Sequence, residues 1–402
     1  MSGAAQAAAS LRSGRAIRER CRRIYDFVEA GDSAHFRLDR AQWPRAVELV
    51  ADVTRERYPD LAIPYHSRWR HFSVGGRDRL TAVAGWAALP VDERLRAAFD
   101  LAVTSVLLDA GAGPAWRYRE GDASFGRSEG LAVASFHAFF GGAFSSDANR
   151  PWRADAEGLA RFTPTALAHA FQVRDDNPLV GLEGRANLVR SVGEALLLHP
   201  ELFSNADGLF RIGHLADTLV SPVSADALLE AVLVGLGSIW PSRLTLEGIP
   251  LGDVWRHPAA GGEDLTAGLV PFHKLSQWLT YSLVEPLMGA GIEVVGLDSL
   301  TGLAEYRNGG LFVDTGVVVP RDPALVQHPL PADHTAVIEW RALTICLLDD
   351  IAVDVRGLLD APDLPLASIL EGGTWAAGRR IASELRPGGT PPIQVASDGT
   401  VF

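Results

Sequence analysis

Apolar positions along this chain recur mainly at intervals of three and four. Over 91–109, "VDERLRAAFDLAVTSVLLD", residues Leu95, Ala98, Phe99, Ala102, Val103, Val106 and Leu107 fall on one face of a 3.6-residue repeat. Asp92 and Glu93 suit the first turn of that helix, and Gly111 follows its end. The same periodicity predicts helices near 13–30, 43–56, 128–140, 181–197, 224–236, 270–288 and 334–352. Strand signals are sparse. The stretches 244–251, "LTLEGIPL", and 392–402, "PIQVASDGTVF", read as small hairpins, the second around an Asp-Gly turn. No internal repeat or low-complexity linker interrupts the pattern, and its Gly/Pro-rich pieces are loop-sized. The expected fold is therefore mainly α with minor β-hairpins. Residues 1–12 read as a disordered N-terminus. Residues 13–402 read as a single helical domain, arranged as one body or as two lobes around a cleft.

Charge and cysteine usage narrow the class. The chain has 402 residues and a formal net charge of −12, which argues against broad electrostatic binding to nucleic acid or an anionic membrane. Cys21 and Cys346 lack metal-ligand spacing and read as reduced thiols of a cytoplasmic protein. The N-terminus has no signal-peptide apolar core. The apolar run "ALLEAVLVGLGSIW" is interrupted by Glu230 and is too short to span a bilayer. Phosphate loops, dinucleotide fingerprints, His-Glu-x-x-His and Gly-x-Ser-x-Gly are all missing, which disfavours nucleotide-driven, nicotinamide, zinc-protease and serine-hydrolase chemistry.

One residue stands apart. Lysine and arginine together number 37, and Lys274 is the single lysine, leaving 37 − 1 = 36 arginines. Compositional drift explains why lysines are few but not why one remains. Guanidinium is planar and always charged, whereas an ammonium is a compact charge whose pKa burial can move. Phosphate capture, proton donation and Schiff-base chemistry are uses for such a group; chance survival at the surface is the alternative. His273 and Trp278 flank Lys274 within "VPFHKLSQWLTYSL", where Phe272, Leu275, Trp278 and Leu279 predict a largely buried helix.

Three further stretches hold candidate chemistry. In 300–320, Glu305, Tyr306 and Arg307 precede Asn308-Gly309-Gly310, a turn signal, and Asp314 lies inside the apolar run "LFVDTGVVV". A carboxylate there reads equally as a site residue, a helix cap or half of a buried ion pair. In 337–353, Glu339 and Arg341 open an apolar helix that carries Asp349 and Asp350 further along. Finally, "PYHSRWRHF" gathers His66, Arg68, Arg70 and His71 around Trp69, and "LLDAGAGPAWRYREGD" sets Asp109, Trp116, Arg117 and Tyr118 about a glycine loop. Arginine and histidine suit phosphate and aromatics suit a planar group, although such clusters also serve ordinary packing.

These strings carry a resemblance. "YHSRWRHF", "LLDAGAGPAWRYRE", "NPLVGLEGR", "VPFHKLSQWL" and "GLAEYRNGGLFVD" resemble a bacterial and fungal family linked to uracil catabolism and long labelled as a domain of unknown function, over about residues 13–400. A more distant likeness is to the queuosine-salvage N-glycosylases (queuosine 5′-phosphate hydrolases), which are similar to helix-hairpin-helix DNA glycosylases. Their Phe-Tyr-Lys-Arg-Ala-Gln helix, Ala-Asp-Tyr-Arg turn and Glu-x-Arg-Ala/Gly helix are similar to "FHKLSQ" at 272–277, "AEYR" at 304–307 and "EWRA" at 339–342. The likeness implies site roles for Lys274, Glu305, Arg307, Glu339 and Arg341, and "LLDAGAGPAW" places Asp109 and Trp116 near the ligand. Glutamate stands here where those enzymes have aspartate, so the substrate or its pose should differ. "FVDTGVV" is similar to the catalytic-aspartate segment of the DNA glycosylases, which leaves Glu305 and Asp314 both open as the principal carboxylate.

The resemblance implies an N-glycosidase that cleaves the C1′–N bond of a small ribosyl compound in pyrimidine degradation, ribosylurea or its 5′-phosphate. Glu305 or Asp314 would stabilise the oxocarbenium-like state or activate water, and Lys274 would assist the leaving group or bind phosphate. Asp109, Trp116, Tyr118, Arg307, Glu339, Arg341, His273, Trp278, Arg68, Arg70 and His71 would contact substrate. No metal or organic cofactor is required, and the expected partner is the small-molecule substrate alone. A non-catalytic binding or scaffold protein of the pathway and a ureido amidohydrolase are the alternatives.

Overall fold

Helices form where the apolar stripes place them. A computed structural model describes residues 2–240 and 244–396. Its helices of eight or more residues are α1 (Gly3–Ser10), α2 (Gly14–Glu29), α3 (Trp43–Arg57), α4 (Val91–Leu107), α5 (Arg127–Phe140), α6 (Leu182–Leu198), α7 (Ala225–Gly235), α8 (Lys274–Gly289), α9 (Tyr306–Asp314), α10 (Thr335–Leu359) and α11 (Trp375–Leu385). The strands pair two by two. Those used below are β1 (Phe36–Leu38), β2 (Thr245–Leu246), β3 (Ile249–Pro250), β4 (Val254–Arg256), β5 (Leu269–Pro271) and β6 (Val318–Pro320). The protein is mainly α, as its sequence pattern predicts. Among the described residues no helix is long and apolar enough to cross a membrane.

The chain divides into two compact units. The first comprises residues 2–66, 244–277 and Gly296–Ala396. Here α2 lies on α10, held by paired charges at their rims: Arg18 donates to Asp349 at 2.8 and 3.1 Å, and Arg22 to Asp350 at 3.0 Å. Strands β1 and β6 pair antiparallel, as do β2 with β3 and β4 with β5. The expected hairpin at 244–251 is β2–β3, and its turn residues Glu247 and Gly248 both take positive φ, as a two-residue primed turn demands. The second unit comprises residues 67–240 and Trp278–Val295. Its central helix α4 buries nearly every side chain from Leu95 to Leu107, including the carboxylate of Asp100.

Several local expectations change. Residues 3–10, read from sequence as part of a disordered tail, form α1, capped by Ser2 and packed through Ala4 and Ala8 against Leu246, Leu251 and Leu269. The helix expected over 270–288 begins only at Lys274. Residues 269–271 belong to β5, and His273 sits in the left-handed region at φ +47°, breaking any continuity. Asn308-Gly309-Gly310 is not a turn but lies inside α9. Tertiary packing overrides the local signal: a Cβ on Gly309 would stand 2.8 Å from the Trp340 ring and the Thr344 hydroxyl, so the missing side chain is what admits α10. Of the hairpin expected at 392–402, Val395 bridges Leu330, and residues 397–402 lie outside the described residues.

Candidate active site

The β4–β5 hairpin and the second turn of α10 build the centre of the first unit. Asp253 precedes β4 and Phe272 follows β5, so pairing of the two strands draws their ends together; the Phe272 N–H donates to the Asp253 carbonyl at 2.9 Å. The Asp253 carboxylate accepts both terminal nitrogens of Arg341, each at 2.8 Å, the Trp255 indole N–H at 2.6 Å and the Lys274 backbone N–H at 3.0 Å. Burial alone would raise the Asp253 pKa, but Arg341 and these donors more than offset it and hold the carboxyl well below its usual range. Arg341 in turn lies over the Phe272 ring, 4.1 Å from its centroid. The bidentate fork fixes α10 against the hairpin and so fixes where α8 begins.

Two positions before Arg341, Glu339 is 1% exposed. Its carboxylate accepts the Ser33 hydroxyl at 2.6 Å and lies 3.2 Å from Nε2 of His257, at the end of β4. Lys274 is the first residue of α8 and is half-buried, less enclosed than its apolar neighbours suggested. His273 beside it is buried, sits 3.1 Å through Nε2 from the Leu11 carbonyl, and has its pKa lowered by burial.

Glu305 is the N-cap of α9. Its two carboxylate oxygens accept the Arg307 N–H at 2.7 Å and the Asn308 N–H at 2.5 Å, and the residue is 8% exposed. Each oxygen retains a further lone pair, so capping does not exhaust the carboxylate. Two contacts set its place in the unit. Trp340, between Glu339 and Arg341, donates from its indole to the Gly309 carbonyl at 3.0 Å, and the Gln277 amide, one turn beyond Lys274, accepts the Thr301 N–H at 3.3 Å. Arg307 turns away and donates to the Gly389 carbonyl at 2.7 Å. Asp314 lies at the opposite end of α9, nine residues on, about 13 Å along the axis. There Arg386 engages both its oxygens at 2.8 and 2.5 Å. Of the three sequence readings of Asp314, the structure shows the ion pair.

The remaining candidates belong to the second unit. Arg68 is fully buried; its Nη1 lies 2.9 Å from Asp109, its Nε donates to Ser105 at 2.7 Å, and its Nη2 makes no hydrogen bond to protein. Burial lowers the Arg68 pKa, with Asp109 opposing. Trp278 lies under the Arg68 guanidinium at 5.6 Å and meets His71 edge-on. Arg70 pairs with Glu285. Trp116 is wholly buried, with its indole N–H on the Phe171 carbonyl at 3.0 Å, and Tyr118 stacks on His137. Sequence reasoning did not single out Arg185, which donates to the carbonyls of Leu108, Ala110 and Gly111 at 2.6–2.8 Å and so shapes the glycine loop; burial lowers its pKa to about 10. Asp253, His257 and Ser33 were also missed, as was Glu371, buried in a π-helical turn at 370–374 and 2.8 Å from His66.

Comparison with known proteins agrees with the family resemblance. The family described as "Protein of unknown function (DUF1688)" matches residues 10–402. "Uracil catabolism protein 4" of Lachancea kluyveri is 38% identical over 428 residues, covering 96% of this chain and 97% of that protein. "Protein urg3" of Schizosaccharomyces pombe is 38% identical over 405 residues, covering 98% of each. The chain belongs to the DUF1688 family.

Proposed function

We propose that this DUF1688 chain acts in uracil catabolism as an N-glycosidase, hydrolysing the C1′–N bond of ribosylurea or its 5′-phosphate. The pathway follows from the name of the relative in Lachancea kluyveri. The reaction class rests on one observation above others: Glu305 is a buried carboxylate fixed at both oxygens by the first turn of α9, in the unit that also holds the single lysine at the start of α8. Such a carboxylate can face a positively charged sugar without moving. As the C1′–N bond breaks, its electron pair leaves with the urea nitrogen and the ring becomes oxocarbenium-like. Glu305 stabilises that charge and takes a proton from the water whose oxygen joins C1′. The Lys274 ammonium protonates the departing nitrogen or anchors a 5′-phosphate. Arg341 and Asp253 hold the lysine's backbone in place.

The test is product analysis with both substrates. Equimolar urea and reducing sugar are expected. Ammonia release would indicate a ureido amidohydrolase, and saturable binding without turnover would indicate a binding protein; either result overturns the proposal.

A further inference from the structure

Residues 366–385 of the first unit run as one helical stretch with a widened turn inside it. At 370–374 the stretch becomes a π turn, where the Trp375 N–H reaches back five residues to the Leu370 carbonyl. One extra residue rotates the faces beyond it by about 100° relative to those before. The stretch can therefore hold different neighbours on its two sides. Its entry side meets α3 and the segment after it: Glu371 accepts from Arg57 at 3.0 Å and lies 2.8 Å from His66. A Cβ on Gly373 would stand 2.6 Å from Val50 and 2.7 Å from the Thr54 hydroxyl, so α3 closes directly on the turn. Its exit side meets α9, where Gly378 lies against the Arg307 carbonyl.

The turn ends on Thr374, whose hydroxyl is used unlike those of other helical threonines. Thr54, Thr104 and Thr344 each donate to the carbonyl four residues back, at 2.7–2.8 Å. Thr374 instead donates across to Asn308 Oδ1, in the first turn of α9, at 2.9 Å, and both residues are fully buried. An amide oxygen only accepts, so this bond fixes which way the Asn308 amide faces. The amide Nδ2 donates to the Leu303 carbonyl at 3.1 Å, two residues before Glu305. The Asn308 backbone N–H donates to Glu305 Oε1 at 2.5 Å. One asparagine thus ties the segment entering α9 to the cap itself, and Thr374 holds that asparagine.

We propose that Thr374 is a positioning residue for the Glu305 carboxylate, acting through Asn308, and that the π turn is what aims it. The proposal rests on the reading of Glu305 as the reacting carboxylate and adds to that site a residue outside its reacting groups. Without the hydroxyl, Asn308 Oδ1 loses this donor inside a buried setting, and the amide is no longer held in one orientation. The Leu303 carbonyl and the Glu305 cap then lose their common anchor. A displacement of about 1 Å at a reacting centre costs on the order of 10²-fold in rate, so a small drift of the carboxylate is enough to show.

Two variants of the full chain test it: Thr374→Val removes the hydroxyl at nearly constant shape, and Thr374→Ser keeps the hydroxyl without the methyl. Amide hydrogen exchange over 303–311, read by mass spectrometry, reports the anchor directly. Exchange there should be at least about tenfold faster than wild type in the valine variant, near wild type in the serine variant, and unchanged in α2 in both. Urea release from ribosylurea reports the consequence. In Thr374→Val, kcat should fall about 10–100-fold with KM within about twofold, and Thr374→Ser should recover kcat to within about threefold of wild type. Unchanged exchange over 303–311, an increase that extends equally to α2, wild-type kcat despite faster local exchange, or equal losses in both variants would each overturn the proposal. If the wild-type protein itself releases no urea, the glycosidase reading fails, and local exchange alone decides whether Thr374 holds the Glu305 cap.

Discussion

Replacing Glu305 by aspartate should separate the two duties of this carboxylate. As the N-cap of α9 it accepts two N–H groups at 2.7 and 2.5 Å. Aspartate ranks among the best N-caps, so Glu305→Asp should leave stability within about 0.5 kcal/mol of wild type. Glutamine keeps one acceptor but turns an NH₂ towards the second N–H. Glu305→Gln should therefore cost about 1–2 kcal/mol, the usual worth of a lost cap. Catalysis should respond in the opposite order of subtlety. Removing one methylene withdraws the carboxylate by about 1.5 Å, and a displacement of that size at a reacting centre costs on the order of 10²-fold in rate. The glutamine variant loses the charge itself and should fall by ~10²–10⁴-fold. Urea release per folded molecule, measured beside urea-denaturation curves, reads both quantities. Wild-type turnover in Glu305→Asp would reduce Glu305 to a cap and refute the argument. So would an activity loss explained wholly by unfolding.

Other expectations follow from the same geometry. Lys274→Arg, which keeps the charge, should lower kcat by ~10²–10⁴-fold if the ammonium serves the scissile bond, or raise KM for the phosphorylated substrate alone if it anchors phosphate; unchanged kinetics would make the lone lysine an accident of composition. Asp253→Asn leaves the Arg341 guanidinium, 3% exposed, without its anion and should cost about 3–5 kcal/mol by chemical denaturation. Asp100 has a pKa pushed up to about 6, chiefly by burial and despite Arg211. A raised carboxyl pKa favours the folded state while protonated, so its contribution should decline as pH rises from about 4 to about 6. A pH-independent stability difference between wild type and Asp100→Asn would contradict that. Gly378→Ala would bring a Cβ within 2.1 Å of the Arg307 carbonyl, and pushing α11 off α9 should cost about 1–3 kcal/mol in thermal or chemical unfolding. Burial raises the Cys346 thiol to about 12 and also pushes Cys21 up, so both should resist a thiol reagent until the protein unfolds.

Much of the helical framework was legible because apolar periodicity reports burial of a face, and α2 to α8 and α10 bury such faces. What periodicity could not reveal was the hairpin end at Asp253 and Lys274, whose placement depends on strands only three residues long, Val254–Arg256 and Leu269–Pro271, too short to show an alternating pattern. The glycines of α9 misled for a related reason: a residue without a side chain signals a turn locally, whereas here its emptiness is filled by Trp340. Lys274, Glu305, Glu339 and Arg341 could be picked out as unusual residue types in apolar settings. Their partners could not. With 36 arginines present, no spacing identifies which one meets Asp253 or Asp314, and a serine such as Ser33 or a histidine such as His257 becomes distinctive only once Glu339 is folded beside it.

That last group carries a consequence for how the protein comes into being. The Ser33 hydroxyl and the Glu339 carboxylate it meets are separated by 306 positions. On a ribosome adding about 5–20 residues each second, the serine waits roughly 15–60 s before its acceptor is even made. Throughout that interval the N-terminal segment has to remain uncommitted or be sheltered. Recovery of activity on refolding should therefore trail recovery of helicity, because the helices form from neighbours while this centre must wait for distant stretches of chain to find one another.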